Sequence, residues 1–311
     1  MSNMDSNMIL SFYARRDYEV QSLLLVRSLR AFGGDMADLP VWLFYPESSP
    51  LAPSALEELT SLGVLFRPFK ADEAFLKFPF AAKAAASAAA EDFAKQEGLL
   101  LAWHDRTGMI RQAPQAFQLP EDKVLGFRPT DIANIGSAYG KALSPFWAEI
   151  CSQFRLSPED LPAITTCIDR QRIHLYVNAG LLVVRPERGI LRKWSEFFKR
   201  TYNLPSFKRF YKENQANAIF MHQAALTAAV VKTTKPHERW ILPEHYLFSI
   251  DNFFDYAPEY RPESLDQIVT GRFHEFFSLE NWEEKIIASE TLINWFHEQL
   301  KDGPYWPEGS F

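Results

Sequence analysis

The chain has 311 residues, 47% of them hydrophobic, and a formal net charge of −6, enough apolar material for one large core or two modest ones. The acidic balance excludes a nucleic-acid binder, because such proteins carry a basic excess that displaces counterions from phosphates. Two cysteines, Cys151 and Cys167, exclude a disulfide scaffold, match no metal motif by their spacing and fit a reduced cytosol.

The opening "MSNMDSNMILSF" has no basic segment followed by a long apolar stretch. No run reaches the roughly 18 to 20 apolar residues of a membrane-spanning helix. The expected location is cytoplasmic, at most peripheral to a membrane. "MILSFY" (8–13) reads as a short buried strand. "ARRDYEVQSLLLVRSLRAFGG" then reads as a helix opening near Asp17, with Leu24, Leu25, Ser28, Leu29 and Phe32 at helical spacing and Gly33-Gly34 as its stop. "PVWLFYP" is a second strand, "PSALEELTSLG" a helix ended by Gly63, and "VLFRPF" a third strand. This alternation predicts a parallel sheet with helices on its faces.

Nine alanines between Phe80 and Gln96 predict a helix that can lie close to a sheet, alanine being the best helix former. It delivers the chain into a fourth strand, "LLLAW", followed by His104, Asp105, Arg106 and Thr107. If the strand continues through these residues, Asp105 and Thr107 point to one side. The C-terminal ends of strands are where ligands bind in open α/β sheets. Further on, "KVLGFRP" and "YVNAGLLVVRP" predict strands, and "FMHQAALTAAVVK" predicts a helix beginning just before His222 and Gln223. "QIVTGRFHEFF" is the last predicted strand, and "NWEEKIIASETLINWFHEQLKDG" a closing amphipathic helix. "FFKRTYNLPSFKRFYK" (197–212) interleaves Lys199, Arg200, Lys208, Arg209 and Lys212 with aromatic rings. It reads as two short amphipathic helices with solvated basic faces, the alternative being contact with an acceptor glycan or an anionic membrane surface. Aromatic-rich stretches such as the final "GPYWPEGSF" could pack against a second copy or a partner.

Four of these stretches, in this order, resemble landmarks of the GT-A fold sugar-nucleotide glycosyltransferases, in particular the glycogenin-like and galactosyl-lipooligosaccharide-synthase-like members of family 8. "LLLAWHDRTGMIRQAP" stands where they carry an apolar strand ending in Asp-x-Asp. "YVNAGLLVVRPE" is similar to their Asn-Ala/Ser-Gly strand, "FMHQAAL" to their Asp-Gln-x-x-Leu helix, and "VTGRFHEFF" to a late strand ending in a metal-binding histidine. The resemblance covers roughly residues 8 to 280. It implies an α/β fold with a mixed, mostly parallel central sheet, a single GT-A-like domain over residues 1–280, and a C-terminal helix and tail (281–311) packed on that domain. The activity it implies is transfer of a hexose, with retention of anomeric configuration, from a nucleotide-diphosphate donor (a UDP-sugar) to a glycan, lipid or protein acceptor.

Position by position, the resemblance implies Asp105, Thr107 and His274 as ligands of Mn²⁺ or Mg²⁺, which as a Lewis acid would neutralise the departing diphosphate. It implies Asn178, Gln223 and His222 as the catalytic, sugar-facing residues, His222 standing where the family has an aspartate. Donor binding falls to Tyr13, Arg15, Lys83, His104, Asp105 and Arg106. Thr107 departs from the pattern, since a neutral hydroxyl is a poorer cation ligand than a carboxylate. Arg106 beside it adds positive charge, and with His104 and His222 it permits a metal-free site that binds the diphosphate directly. After His274, "EFFSLENW" replaces the Gly and Lys-Pro-Trp that clamp the diphosphate in the family, leaving Lys83 or Arg272 for that task. A catalytically inactive relative that binds a nucleotide sugar, a glycan or a protein is the alternative. A nucleotidyltransferase would need a Gly-rich loop after the first strand, and "SFYARRDYEV" has no glycine.

Overall fold

The computed structural model describes residues 7–16 and 18–301. The first half of the chain forms β1 (Met8–Tyr13), α1 (Ser22–Phe32), β2 (Val41–Pro46), α2 (Pro53–Ser61), β3 (Val64–Phe69), α3 (Glu73–Leu76), α4 (Ala81–Glu97), β4 (Leu100–His104), β5 (Gly108–Ile110) and β6 (Leu125–Pro129). Then come α5 (Pro145–Phe154), β7 (Ala163–Thr165), β8 (Arg172–His174), β9 (Val177–Val184), α6 (Ile190–Thr201), α7 (Pro205–Glu213) and α8 (Gln215–Thr233). The chain closes with β10 (Arg239–Ile241), β11 (Phe248–Ser249), β12 (Thr270–Arg272) and α9 (Glu290–Leu300).

The central sheet has the order β10-β6-β9-β4-β1-β2-β3, and β9 alone runs against its neighbours β4 and β6. It is therefore mixed and mostly parallel, as the resemblance implies. Strand side chains alternate between two cores. Ile9, Trp42, Phe44, Leu101 and Trp103 face α4, whose small residues Ala81, Ala84, Ala86, Ala90 and Ala94 let the helix lie against them. Leu10, Phe12, Val41, Leu43 and Ala102 face α1 through Leu25, Val26 and Leu29. A third, aromatic core gathers Phe248, Phe253, Phe273, Phe276, Phe277, Trp282 and Phe296 around a small sheet of order β11-β12-β5. Helix α9 packs on α1 through Trp295 and Phe32, ring centroids 4.8 Å apart.

Strand β9 changes phase in its middle. Val177 and Ala179 belong to the α4-side core, Leu181 and Val183 to the α1-side core, and Leu182 and Val184 to the α4-side core again. The pairing with β6 shifts accordingly, Phe127 standing opposite Leu182 but Pro129 opposite Val177. The "NAG" of the sequence is thus a β-bulge, which re-aims side chains and leaves backbone groups without ladder partners.

Several boundaries differ from the sequence expectation. Helix α1 begins at Ser22 after a 3₁₀ turn (Glu19–Gln21), and the start near Asp17 falls outside the described residues. The closing helix is interrupted. A 3₁₀ turn (Trp282–Lys285) is followed by extended chain that the 264–266 segment holds, with Leu265 N–H donating to the Ile287 carbonyl at 2.7 Å and Ser289 N–H to Asp266 at 2.7 Å, before Ser289 caps α9. The last strand shrinks to Thr270–Arg272 because His274, at φ 33°, turns the chain out of extended geometry. Helix α8 starts earlier than predicted, at Gln215, because the Asn214 side chain accepts the Ala216 N–H at 3.0 Å, so His222 and Gln223 lie inside the helix. In residues 197–212 the rings of Phe197, Phe198, Phe207 and Phe210 are buried while Lys199, Arg200, Lys208, Arg209 and Lys212 are exposed. The rings a membrane surface would engage are core, and the pair of helices with solvated basic faces is what forms. "GPYWPEGSF" lies outside the described residues.

Candidate active site

Strand β4 ends at His104, and Asp105 to Thr107 form the turn into β5. The alternation argument that placed Asp105 and Thr107 on one strand face therefore does not apply. What sets the site is the pairing of β5 with β12 and the hydrogen bond from Phe273 N–H to the Thr107 carbonyl at 2.9 Å. These bring Arg272 and His274 beside Asp105 from more than 160 residues away in sequence. His104 is fully buried, with Nδ1 2.9 Å from the Asp105 carbonyl. Burial pushes its pKa down to about 4, so the ring is neutral and closes the turn. It fills the space where Gly108 has no side chain; a Cβ there would collide with the imidazole.

Asp105 carries the centre of the site. Its Oδ1 is ion-paired with Lys83 Nζ from the first turn of α4. Its Oδ2 lies against Gly180 of the β9 bulge, where a Cβ would sit 3.1 Å away. Burial alone would raise the carboxyl pKa, but the charge and hydrogen bond of Lys83, then Arg272, outweigh it and hold Asp105 below its ordinary value. Arg272 is ion-paired with Asp131, just past β6. Asp251 faces the same guanidinium, and burial pushes its pKa up to about 6. His274 is within electrostatic reach of Arg272, Asp105, Lys83 and Arg106.

On the β1 side, Arg106 Nε donates to Gln21 at 2.9 Å. Its guanidinium and that of Arg15 both lie over the Tyr18 ring, 5.2 and 4.2 Å from the centroid. Burial raises the Tyr13 pKa while the nearby charges of Arg106 and Arg15 lower it. Tyr13, Arg15, Tyr18 and Arg106 thus form one corner, continuous with Asp105, Lys83 and Arg272 along the carboxyl edges of β1, β4 and β6.

Asn178, Gln223 and His222 are turned inward. The Asn178 side-chain carbonyl accepts the Gly180 N–H at 2.9 Å, and Gln223 accepts the Ala179 N–H at 3.2 Å. One turn further along α8, Thr227 accepts the Val177 N–H at 3.0 Å. These side chains replace the ladder partners that the bulge forfeits, since a buried backbone N–H left alone costs about 1–3 kcal/mol. The Gly180 carbonyl in turn accepts the Asp105 N–H at 2.8 Å, so the bulge aims the Asp105 turn. His222 is buried against Phe80, ring centroids 4.3 Å apart and nearly parallel. Phe80 is itself half exposed and left-handed at φ 60°.

The donor set does not suit a divalent cation. Asp105 is already neutralised by Lys83, Thr107 offers a buried hydroxyl in the turn, and His274 sits in a field of Lys83, Arg106 and Arg272. A dication needs oxygen ligands with spare negative charge, and this cluster supplies positive charge. Among the described residues no group of three or more His, Cys, Asp or Glu is placed to hold a metal. Sequence reading found Lys83, Asp105, Arg106, Arg272 and His274. It did not find Tyr18, Phe80, Asp131 or Asp251, which no local pattern marks. Two cavities lie elsewhere: about 550 Å³ at the opposite sheet edge, near Leu100, Asp38 and Arg185, and about 390 Å³ beside β7 and β8, near Arg128, Arg170 and Arg172. Among the described residues no helix is long and apolar enough to cross a membrane.

A comparison with curated proteins finds no match. Among solved structures the chain is similar to the bifunctional glycosyltransferase WbbM in its apo form, with a TM-score of 0.57 at 12% identity over 98% of this chain and 51% of that one. It therefore spans about half the length of that protein. It also matches galactosyltransferase LgtC in complex with donor and acceptor sugar analogs (TM-score 0.49, 13% identity, 89% of this chain and 94% of that one) and mouse xyloside xylosyltransferase 1 (0.45, 11%, 86% and 97%). The shared fold is that of GT-A glycosyltransferases. Residues 9–233, well over half of the chain, match the model of the Rhodobacterales glycosyltransferase domain, and the chain belongs to that family.

Proposed function

We propose that the protein transfers a sugar from a nucleoside-diphosphate donor, a UDP-sugar, to a hydroxyl of a glycan, lipid or protein acceptor. The observation that supports this is one polar cluster in which Arg15, Lys83, Arg106 and Arg272 gather around fewer carboxylates, at the strand ends where α/β sheets bind ligands. In this reading Tyr13 and Tyr18 receive the base, and Arg106, Lys83 and Arg272 receive the diphosphate. Breaking the sugar–phosphate bond leaves negative charge on the diphosphate, and cations fixed in place before the reaction stabilise it without reorganising. Asn178 and Gln223 fix the bulge that positions Asp105. Retention of anomeric configuration follows from the resemblance alone.

The test is calorimetric titration with UDP and GDP, followed by assay of UDP release from a panel of UDP-sugars. Binding of UDP with sugar-dependent release supports transfer; no binding of either nucleotide overturns the proposal. A second reading, an inactive relative that binds a nucleotide sugar, is favoured by one observation. Asn178, Gln223 and His222, the three expected sugar-facing residues, are all engaged inside the fold. UDP binding without release or transfer for any sugar selects that reading.

A further inference from the structure

We propose that Lys83 is the site's built-in cation, standing where the related family holds a divalent metal, so that the protein binds its donor diphosphate without one. The inference rests on the nucleotide-sugar reading above and deepens it.

The Asp105 carboxylate is wedged between two neighbours. Oδ1 holds the Lys83 ammonium, and Oδ2 lies against Gly180, where an added Cβ would be only 3.1 Å away. A metal approaching Oδ1 would have to displace Lys83 and meet the charges of Arg106 and Arg272. The position of the second family carboxylate is Thr107, a buried hydroxyl whose backbone carbonyl is committed to β12. Asp131 is neutralised by Arg272. Asp105 and Asp131 therefore each already have a cation, and Asp251 shares the Arg272 guanidinium with Asp131.

The same cations have donors to spare for phosphate. An ammonium carries three N–H donors, and Asp105 takes one. Arg272 Nε is buried without a hydrogen-bond partner among the described residues, although its guanidinium is otherwise ion-paired with Asp131. Lys83 supplies one positive charge where a metal would supply two, and Arg106 supplies the second.

The experiment titrates UDP and uridine into the wild-type protein in EDTA and again in MnCl₂, then repeats this with Lys83→Met and Lys83→Arg. The expected result is UDP affinity equal within about twofold in the two buffers, an affinity about tenfold or more weaker for Lys83→Met, near-wild-type affinity for Lys83→Arg, and uridine affinity unchanged throughout. UDP binding that appears only with Mn²⁺, or a Lys83→Met protein that binds UDP as tightly as wild type, overturns the proposal while leaving the nucleotide-sugar reading intact. Failure of the wild type to bind UDP or GDP in either buffer overturns that underlying reading instead. The wild-type comparison of buffers stands if Lys83→Met does not fold.

Discussion

Helix α4 buries two charges two turns apart, roughly 12 Å along its axis, and they are satisfied in opposite ways. Lys83, in the first turn, is 7% exposed and meets a partly exposed carboxylate among other cations. Glu91 is fully buried and meets mainly backbone: its two oxygens accept the N–H groups of Leu191 at 3.1 Å and Arg192 at 2.9 Å, at the start of α6, and Arg192 Nε lies 3.5 Å from Oε2. Gly189, which precedes α6, has no side chain to cap it, so Glu91 does so from the neighbouring helix. A buried charge is thus no marker of a site by itself. Glu91 is satisfied by groups the fold provides, whereas Lys83 sits among other cations and has N–H donors beyond the one Asp105 takes.

The sharpest way to break this contrast is Glu91→Ala. It should lower unfolding stability by about 3–4 kcal/mol, because two backbone donors lose their acceptor in the core, while UDP affinity stays at the wild-type value. Urea unfolding and calorimetry on the same protein check both halves, and a parallel loss of affinity would erase the distinction between the two ends of the helix.

The pH dependence of stability gives the next largest effect. Burial pushes the Glu91 pKa from 4.5 up to about 7, against the lowering influence of the Arg192 and Leu191 N–H groups. The folded state therefore holds this proton to higher pH than the unfolded chain does. The stabilisation is complete below 4.5 and is lost as the pH rises through 7, a change of about 3 kcal/mol. Glu91→Gln does not titrate, so wild-type minus Glu91→Gln stability should fall across that window. His104, depressed to about 4, acts with the opposite sign, its contribution being present above 6.5 and lost as the pH falls through 4. It is common to both proteins and cancels in the difference. A flat difference curve would show that Glu91 is ionised in the fold throughout.

At the Lys83 end, Gly180→Ala sharpens the contrast. The added Cβ would stand 3.1 Å from Asp105 Oδ2 and 3.0 Å from Leu247, and pushing these aside should cost about 1–2 kcal/mol and weaken UDP binding together with stability. Chemical denaturation and titration check this, and unchanged binding would detach Asp105 from the ligand. The smallest effect belongs to Asp92→Ala, next to Glu91 but on the exposed face, where the pair with Arg192 at 2.8 Å is solvated. A change of about 0.5 kcal/mol or less is expected in the same unfolding assay.

The contrast also explains what could be read from the sequence. Apolar runs and alanine content located β1 to β4, β6, β9 and α4 because their residues are buried for local, periodic reasons. Lys83, Asp105 and His274 were accessible only through the resemblance. The role of Glu91 was illegible, because nothing near "AAAEDFAK" reveals that a helix start a hundred residues later lacks a cap. The positions of Asp131 and Asp251 were hidden for the same reason, since each depends on where Arg272 is delivered by β5 and β12. The end of β4 was misjudged because a strand stops where its partner does, and β9 pairs with it only as far as His104.

The bulge in β9 has one more consequence. Since the strand reverses phase at Asn178 to Gly180, neither half can slip along its neighbours without the other turning core residues outward, and the Thr227 and Gln223 acceptors on α8 fix the first half from outside the sheet. Shortening the strand by one residue at Ala179 would restore plain alternation only by breaking the grip of α8, and the loop bearing Asp105 would lose the carbonyl that anchors it. A feature that looks like an irregularity in the ladder is therefore the latch between sheet, helix and the Asp105 turn.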